Sequence, residues 1–290
     1  MNQVKKAVIP IAGLGTRFLP LSKIVRKEFL PLVDKPIIQY LVQEALDSGI
    51  KEIIFVVKPG KKDIIEYFKR DKKLEKIINQ KKRNHLLKEI ENLAEISKKI
   101  SFSIVYQKEP LGDGHAILQA KRLVKKEPFA VFFGDDVIDA EVPGLLQLKK
   151  IFTTSQRPIL SLCEKAESEI RKYGVADVEK IANSIFKVKN IVEKPEPSEA
   201  PSNLAIIGRY VLTPDIFYYL EKIKPDERGE IILANALKEM IGDGKIVYGY
   251  QIKGRWLECG TKVSWIKSNV YLSLKHPDYG VEIRNFIKNL

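Results

Sequence analysis

Two short apolar runs near the start of the chain flank a segment whose apolar residues recur at helical spacing. Ala7–Ile11 and Glu52–Val57 have the composition of strands that are buried on both faces. Pro36–Ser48 lies between them, and Gly49 provides a stop signal for its helix. A strand, a helix and a strand at this spacing form a βαβ unit with parallel strands and a right-handed crossover. The pattern predicts an α/β fold with a Rossmann-like, mostly parallel central sheet and helices on both faces.

The first apolar run ends in a glycine turn, Ala12–Arg17 (AGLGTR), that precedes a dense set of cations. Glycine lets the backbone approach a ligand closely and turn its N–H groups towards it. The cations are Arg17, Lys23, Arg26 and Lys27. Amide dipoles and positive side chains offset the charge of a polyphosphate, so the stretch is a candidate phosphate site. An ordinary turn is the alternative, because the spacing is not that of a Walker A loop and Phe18 replaces the third glycine of a Rossmann fingerprint.

A second candidate site follows the strand predicted for Phe129–Phe133. The chain continues as Gly134-Asp135-Asp136, which places two carboxylates directly after that strand. Ligands of open α/β sheets bind outside the carboxyl ends of the strands, and carboxylate oxygens suit Mg²⁺. The sequence therefore predicts a divalent metal site at these acids, with an aspartate turn or helix cap as the alternative.

The remaining elements are predicted from periodicity and turn signals. Residues 61–100 are highly charged with narrow apolar stripes, which indicates a helical excursion on the surface of the core. After Ile159 the pattern changes to shorter strands. The further predictions are strands at 102–106 and 203–212, a hairpin over 172–192, helices at 116–124, 229–240 and 263–274, and a helix capped by Thr213. Because no internal repeat occurs, one domain with insertions is the simplest organisation.

The net charge and the cysteine content limit which partners and which cellular compartment are expected. The 290 residues carry a formal net charge of +13, which is compatible with nucleic acid, a membrane surface or small anionic substrates. The lysines are scattered without an arginine–aromatic cluster, so we expect a solvated surface and neither nucleic acid nor membrane as partner. Cys163 and Cys259 lack metal-ligand spacing, and the sequence contains no apolar run of membrane-spanning length and no signal-peptide segment. A cytoplasmic protein is expected.

Motifs from Lys6 to about Gly280 occur in an order that is jointly specific. They are GLGTRFLP, KEFLPLVDKP, QKEPLG-x-GHA, GDD, YGV, EKP, SNLAIIGRY and the closing CGT. In this combination the chain resembles the nucleoside-triphosphate sugar-1-phosphate nucleotidyltransferases, most of all their bacterial uridylyltransferase branch. The resemblance implies the nucleotide-diphospho-sugar transferase fold in a single domain, 1–290. Its expected parts are a nucleotide-binding core (about 1–150), a smaller β-rich sugar-phosphate-binding part (about 151–262) and a C-terminal helical segment (about 263–290).

The resemblance also implies which residues bind the nucleotide. The matching positions are Ala12, Gly13, Gly15, Thr16, Glu28, Gln107, Gly112 and Asp136. The first two match backbone that lies against the uracil and ribose, and the next two belong with Arg17 to the triphosphate loop. Gln107 and Gly112 match the residues that read the uracil edge, and Glu28 matches a base-side position.

Catalytic and sugar-phosphate positions are implied in the same way. The catalytic positions are Arg17, Lys27, Asp135 and Lys194, and the sugar-phosphate positions are Gly174, Glu193 and Lys194. Arg17 and Lys27 match cations on the phosphates, and Asp135 matches the principal Mg²⁺ ligand. Glu193 is expected to accept hydrogen bonds from sugar hydroxyls, while Lys194 is expected to contact the sugar phosphate.

Three departures from the family pattern bear on substrate preference. Asp113 stands where the uridylyltransferases usually carry leucine, which places an acid near the expected base site. Glu258 replaces an aspartate of the closing motif and is a candidate second metal contact with a longer side chain. Ile232 and Asn235 alter the family's GEIQLTD segment. The reaction class is unaffected by these changes.

The implied reaction is transfer of a uridylyl group from UTP to α-D-glucose 1-phosphate, giving UDP-glucose and pyrophosphate by Mg²⁺-assisted in-line attack. The attacking phosphate is already ionised, so no general base is needed, and His115 is interpreted as structural. Family members of this kind assemble as dimers or tetramers. The alternatives are a sister transferase using another nucleotide such as dTTP or ATP, or another hexose 1-phosphate, and a catalytically silent regulator that binds nucleotide sugars. A nucleic-acid-binding protein and an NAD-linked oxidoreductase are weaker alternatives.

Overall fold

The computed structural model describes residues 2–61, 63–83 and 86–290. Lys62, Asn84 and His85, which belong to the predicted helical excursion, lie outside the described residues. The strands are β1 (Lys6–Pro10), β2 (Pro31–Leu32), β3 (Lys35–Pro36), β4 (Glu52–Val57), β5 (Ser101–Tyr106), β6 (Phe129–Phe132), β7 (Asp136–Asp139), β8 (Ile159–Glu164), β9 (Gly174–Ala182), β10 (Ile185–Glu193), β11 (Leu204–Leu212), β12 (Tyr248–Gln251) and β13 (Arg255–Glu258). The helices are α1 (Ile37–Asp47), α2 (Asp63–Phe68), α3 (Lys72–Gln80), α4 (Leu87–Lys99), α5 (Asp113–Gln119), α6 (Lys121–Val124), α7 (Gly144–Ser155), α8 (Glu167–Ile170), α9 (Ile216–Lys222), α10 (Leu233–Gly242), α11 (Lys262–Lys275) and α12 (Gly280–Lys288). Of these helices, none combines the length and the apolar content needed to cross a membrane.

A nine-stranded sheet forms the centre, in the order β5-β4-β1-β6-β11-β8-β12-β10-β9. The first half, β5-β4-β1-β6, is entirely parallel, as the βαβ pattern predicts. Beyond β6 the directions change, because β11 runs antiparallel to both of its neighbours, β6 and β8. β8 and β12 are parallel, whereas β12, β10 and β9 form antiparallel pairs. The sheet is therefore mixed rather than mostly parallel.

Alternate residues of the central strands pack into two cores, one on each face of the sheet. Ala7 and Ile9 of β1 belong to a core with α1, α4 and α7. Val8 belongs instead to a core with α5, α9 and α10. All three residues are fully buried, which is why the strand is a continuous apolar run instead of an alternating one. Helices thus cover both faces, as expected.

Several predicted boundaries differ from those observed. The predicted helix over 116–124 begins earlier and divides into α5 and α6 at Ala120. The hairpin is formed by β9 and β10, and the predicted helix 229–240 begins only at Leu233. The prediction that Thr213 caps a helix is wrong, because α9 begins at Ile216 and the buried Thr213 hydroxyl has no partner among the described residues.

A two-stranded antiparallel ribbon lies outside the main sheet and contains two of the predicted acids. β13 pairs antiparallel with β7, and the register places Glu258 opposite Asp136. β7 begins at Asp136, the second acid of the Gly-Asp-Asp motif, so this acid is itself part of the ribbon. The ribbon therefore links the predicted metal motif to the closing Cys-Gly-Thr motif of the sequence.

Candidate active site

Two adjoining cavities lie at the carboxyl ends of β1 and β6. Their volumes are about 560 Å³ and about 240 Å³, and both are lined by Arg17, Asp113, Asp135 and Glu193. The predicted site residues that line the larger cavity are Ala12, Gly13, Gly15, Thr16, Arg17, Lys27, Gln107, Gly112, Asp135, Glu193 and Lys194. Those that line the smaller cavity also include Asp136, Gly174 and Glu258. Glu28 lies away from this connected space, as do Lys23 and Arg26 of the predicted cations, and Arg26 instead forms an ion pair with Asp63 at 2.8 Å.

The glycine turn after β1 has the backbone geometry that its sequence requires. Gly15 has a φ of 64°, in the left-handed region that favours glycine. It precedes a short 3₁₀ turn, Thr16–Phe18. Phe18 is buried and its ring packs edge-on against Trp265, with 6.3 Å between the centroids. The residue that breaks the Rossmann fingerprint is therefore an anchor for the turn.

Lys27 and Asp135 form an ion pair beside this turn. The Lys27 Nζ donates a hydrogen bond to Asp135 Oδ2 at 2.7 Å. Burial opposes ionisation of Asp135, but the charge and hydrogen bond of Lys27 outweigh it and lower the pKa of the carboxyl. Burial also opposes the Lys27 ammonium, and the charges of Asp135 and Glu28 outweigh it and raise the lysine pKa. Both members of the pair are charged at neutral pH.

Asp136 has partners that Asp135 lacks. Its side chain is buried, and its Oδ1 accepts a hydrogen bond from the Trp256 Nε1 at 2.6 Å. Burial and the adjacent charge of Asp135 raise the pKa of Asp136 to about 7. The two acids therefore differ in environment: Asp135 faces the larger cavity beside a cation, whereas Asp136 is held within the protein at the smaller one.

A buried ion pair supports the loop that carries these acids. Arg209 of β11 is fully buried and donates to both carboxylate oxygens of Glu44, at 2.8 and 3.1 Å. It also donates to the carbonyl oxygens of Gly208, at 2.9 Å, and Asp136, at 2.7 Å. Glu44 in turn accepts from the Leu145 N–H at the start of α7, at 2.9 Å. The loop is thereby tied to α1, α7 and β11, a connection that sequence reasoning missed.

Gln107 and Gly112 lie together on another wall of the larger cavity. Gln107 is 4% exposed, and its Nε2 donates to the Gly112 carbonyl oxygen at 2.9 Å. The same Nε2 lies 3.1 Å from the Nδ1 of His115. Gly112 has a φ of 94°, and a Cβ there would lie 2.5 Å from the Ile231 carbonyl oxygen, so only glycine fits.

Asp113 links this wall to the first turn of α10. Its Oδ1 accepts from the N–H of Leu233, the first residue of that helix, at 2.9 Å. Burial raises the pKa of Asp113 to about 6, while the N–H groups of Leu233 and Gly114 act in the opposite direction. Ile232 lines both cavities, whereas Asn235 is not among their lining residues. The aspartate that stands in place of leucine at position 113 therefore has a structural role, because its side chain binds the first N–H of α10.

Glu193 is the last residue of β10, and Lys194 follows it, at the predicted sugar-phosphate positions. Lys194 has a φ of 47°, and its N–H donates to the Tyr173 carbonyl oxygen at 3.1 Å. The Lys194 Nζ lies 3.4 Å from Glu193 Oε1. A Cβ at Gly174 would lie 2.9 Å from Glu193 Oε2, so the glycine leaves room for this carboxylate. Glu258 accepts a hydrogen bond from the Tyr173 hydroxyl at 3.0 Å, a partner that the sequence did not reveal.

Glu28 lies behind the site instead of in its wall. It is 2% exposed, and burial raises its pKa. Its Oε1 would lie 3.5 Å from a Cβ on Gly134, and the geometry gives no support to a contact with the base. Conversely, Arg228 and Glu230 line the larger cavity and form an ion pair at 3.3 Å. Sequence reasoning missed both. Arg228 directly precedes the GEIQLTD-like segment and Glu230 is its second residue, in a stretch that was predicted as helix but lies before the start of α10.

The donor set is compatible with Mg²⁺ held mainly through Asp135. In the parts of the chain that the structure describes, no cluster of three or more His, Cys, Asp or Glu side chains could hold a metal by itself. Mg²⁺ at phosphate sites uses one or two carboxylates and completes its shell with substrate oxygens and water. Asp135 faces the cavity beside the phosphate-site cations and supplies such a carboxylate, whereas Glu258 is already engaged by Tyr173.

Known proteins are similar to this chain in sequence and in fold. The nucleotidyl transferase family matches it over residues 6–273. It is 42% identical over 288 residues to UTP–glucose-1-phosphate uridylyltransferase 1 of Staphylococcus saprophyticus, with 99% of each chain covered. A UTP-bound UGPase from Acinetobacter baumannii superposes with a TM-score of 0.91 at 38% identity, covering 99% of this chain and 100% of that one. A UDP-glucose pyrophosphorylase complexed with UDP-glucose gives a TM-score of 0.85 at 38% identity, covering 94% and 100%.

Proposed function

The chain belongs to the nucleotidyl transferase family, and we propose that it transfers a uridylyl group from UTP to α-D-glucose 1-phosphate, giving UDP-glucose and pyrophosphate. One observation carries the proposal. The glycine turn with Arg17 and Lys27, Asp135, and the Glu193–Lys194 pair all face one connected space, which is what two phosphorylated substrates need in order to meet. Full-length similarity to proteins that carry this activity in their names supports the same reaction.

The reaction requires positioning and charge compensation rather than a covalent intermediate. An oxygen of the sugar phosphate attacks the α-phosphorus, a new P–O bond forms, and the bond to the departing pyrophosphate breaks on the opposite side. Arg17 and Lys27 stabilise the charge of the pyrophosphate at the glycine turn. Lys194 holds the attacking phosphate against repulsion by the nucleotide. Asp135 would hold Mg²⁺, which would supply further positive charge to the phosphate oxygens when bound.

The wall formed by Gln107 and Gly112 is complementary to uracil. The Gly112 N–H donates no hydrogen bond to another described residue, and the Gln107 Oε1 accepts none. A donor beside an acceptor suits the uracil edge, on which a ring N–H adjoins carbonyl oxygens. Thymine has the same edge, so dTTP is the nearest alternative nucleotide.

Assembly and cellular location are two further parts of the proposal. We propose a homo-oligomer, a dimer or a tetramer, because α11 and α12 expose several large apolar side chains while Trp265 and Tyr271 of α11 pack on the core. The exposed side chains include Val263, Ile266, Val281 and Phe286, each more than half exposed. The cytoplasmic location stays a prediction that rests on the two cysteines, both of which are free.

Two substitutions test the catalytic assignments. We expect Asp135→Asn and Lys194→Ala to lower kcat for UDP-glucose formation by about 100-fold or more, because each removes a charge that acts on the phosphates. Lys180→Ala removes an exposed lysine outside both cavities and serves as the matched control. Thermal melts verify that each variant is folded. Near-normal turnover in folded Asp135→Asn or Lys194→Ala would contradict the assignment of that residue.

A further inference from the structure

We propose that His115 is a positioning residue that takes up one of the two amide protons of Gln107, and that it thereby makes the cavity prefer a base with a ring N–H over cytosine. The inference deepens the proposed function, on which it rests. Sequence reasoning gave His115 a structural role, yet its ring contacts the side chain that faces the base position.

The orientation of the Gln107 amide follows from its two neighbours. The Gly112 carbonyl oxygen lies 2.9 Å from the side-chain nitrogen and can only accept, so the NH₂ group must point there. The His115 Nδ1 lies 3.1 Å from the same nitrogen. Together these acceptors use both amide protons. The remaining polar atom of the side chain is Oε1, which presents an acceptor to the cavity that Gln107 lines.

This arrangement requires one tautomer of His115. Nδ1 must carry a lone pair to accept from Gln107, so the proton of the neutral ring is on Nε2. The Gln119 side-chain nitrogen lies 3.1 Å from Nε2 and 3.2 Å from the His115 carbonyl oxygen. Exchanging the nitrogen and the oxygen of this half-buried amide gives up the longer contact with the carbonyl and gives the Nε2–H an oxygen acceptor. Burial lowers the pKa of His115, against the opposing charge of Glu109, which keeps the ring neutral at neutral pH.

The consequence is base selection. Uracil offers an N–H at ring position N3, which the Gln107 Oε1 accepts, whereas cytosine has a lone pair on N3 that Oε1 repels. If His115 could not accept, one amide proton of Gln107 would lose its partner. The side chain would then turn about its remaining hydrogen bond to the Gly112 carbonyl oxygen and offer the second N–H to the cavity, because a buried donor without a partner is costly. That donor suits cytosine, so discrimination would fall.

The test compares kcat/KM for UTP and for CTP with saturating glucose 1-phosphate. His115→Leu keeps the side-chain size without an acceptor, and His115→Asn restores an oxygen near the Nδ1 position. We expect His115→Leu to lower the UTP/CTP preference by about tenfold or more, through a higher KM for UTP. The kcat with UTP and the KM for glucose 1-phosphate should stay within about twofold, and His115→Asn should recover most of the preference. Lys180→Ala, which removes an exposed lysine outside both cavities, is the control.

Two results would overturn the proposal. One is an unchanged UTP/CTP preference in His115→Leu, and the other is an equal fall in the Lys180→Ala control. A measurement on the unmodified protein is independent of variant folding: ¹⁵N NMR of the histidine rings should show His115 protonated on Nε2, and protonation on Nδ1 would contradict the proposal. Should the protein fail to turn over UTP, calorimetric binding of UTP and CTP to the same variants separates failure of the proposed function from failure of this inference.

Discussion

At the residue scale, Asp113 is an acid near the expected base site whose burial makes the stability of the fold depend on pH. Asparagine at this position keeps an oxygen for the Leu233 N–H and removes a buried charge. The pKa of Asp113 is raised from 3.8 to about 6 in the folded protein, so ionisation between these values costs stability as the pH rises. We expect Asp113→Asn to be more stable than the parent by about 1–3 kcal/mol at about pH 7.5, and this gain to approach zero near about pH 4.

Urea unfolding of both proteins across this pH range measures the difference. Asp278→Asn changes an exposed acid near the carboxyl end of the chain and is the control. A gain for Asp113→Asn that is the same at both ends of the range would show that Asp113 is not held at a raised pKa.

The residues that sequence reasoning located share a simple geometric origin. Arg17, Gln107 and Asp135 each follow a strand of the parallel half of the sheet, and the carboxyl ends of parallel strands meet at one edge. Residues that are adjacent in sequence can nevertheless point their side chains in different directions. Lys27 and Glu28 are adjacent, yet the 3₁₀ turn that contains both directs the lysine into the cavity and the glutamate into the protein.

The missed residues reach the site from distant parts of the chain. Trp256 and Tyr173 hold Asp136 and Glu258, and their contacts span 120 and 85 positions. No local pattern marks a tryptophan or a tyrosine as the partner of a particular acid. The Trp256–Asp136 contact follows from the pairing of β13 with β7, and the Tyr173–Glu258 contact places the residue before β9 against β13. The sequence alone determines neither arrangement.

At the element scale, the Glu44–Arg209 pair joins α1, α7 and β11 to the acid-bearing loop. Arg209→Met leaves the Glu44 carboxylate buried beside no cation, and we expect it to lower the free energy of unfolding by about 3–5 kcal/mol. The double variant Glu44→Leu/Arg209→Met buries no isolated charge, so its loss should be smaller than that of Arg209→Met alone. Denaturant titration of the single and double variants measures this coupling.

The matched control is the exposed pair of Glu66 and Lys69, whose charged atoms are 2.7 Å apart. Lys69→Met should change the free energy of unfolding by less than about 1 kcal/mol, because exposed ion pairs contribute little. Strictly additive losses in the buried double variant would contradict the view that Arg209 is needed mainly to compensate Glu44.

Elements with strong local signals were predicted well, and those that depend on distant pairing were not. β4 was predicted with the bounds that the structure shows, and α1 to within one residue at each end, because apolar periodicity and a following glycine define both. The antiparallel entry of β11 between β6 and β8 could not be deduced, since a buried strand has the same composition in either direction. β7 was not predicted, because it is only four residues long and begins within the acid motif.

At the scale of the whole molecule, the exposed apolar face of the two C-terminal helices bears on assembly. Light scattering coupled to size-exclusion chromatography should give the mass of a dimer or a tetramer of the 33.1 kDa chain. Ile266→Asp places a charge on the outer face of α11, where Ile266 is 52% exposed, and should shift the protein towards a monomer. A monomeric parent protein at micromolar concentration would contradict the proposed homo-oligomer.

Uridylyl transfer is tested most directly by pyrophosphate release with Mg²⁺, in which UTP, dTTP, ATP, CTP and GTP are each combined with glucose 1-phosphate and with other hexose 1-phosphates. We expect release that is fastest for UTP with glucose 1-phosphate, the pair named in the full-length relatives, and weak for CTP, because the Gln107–Gly112 wall suits a base with a ring N–H. Preference for dTTP or another hexose would retain the mechanism and change the substrate. Absence of release with every pair, from a folded protein that still binds nucleotide, would contradict the proposal and favour a catalytically silent regulator.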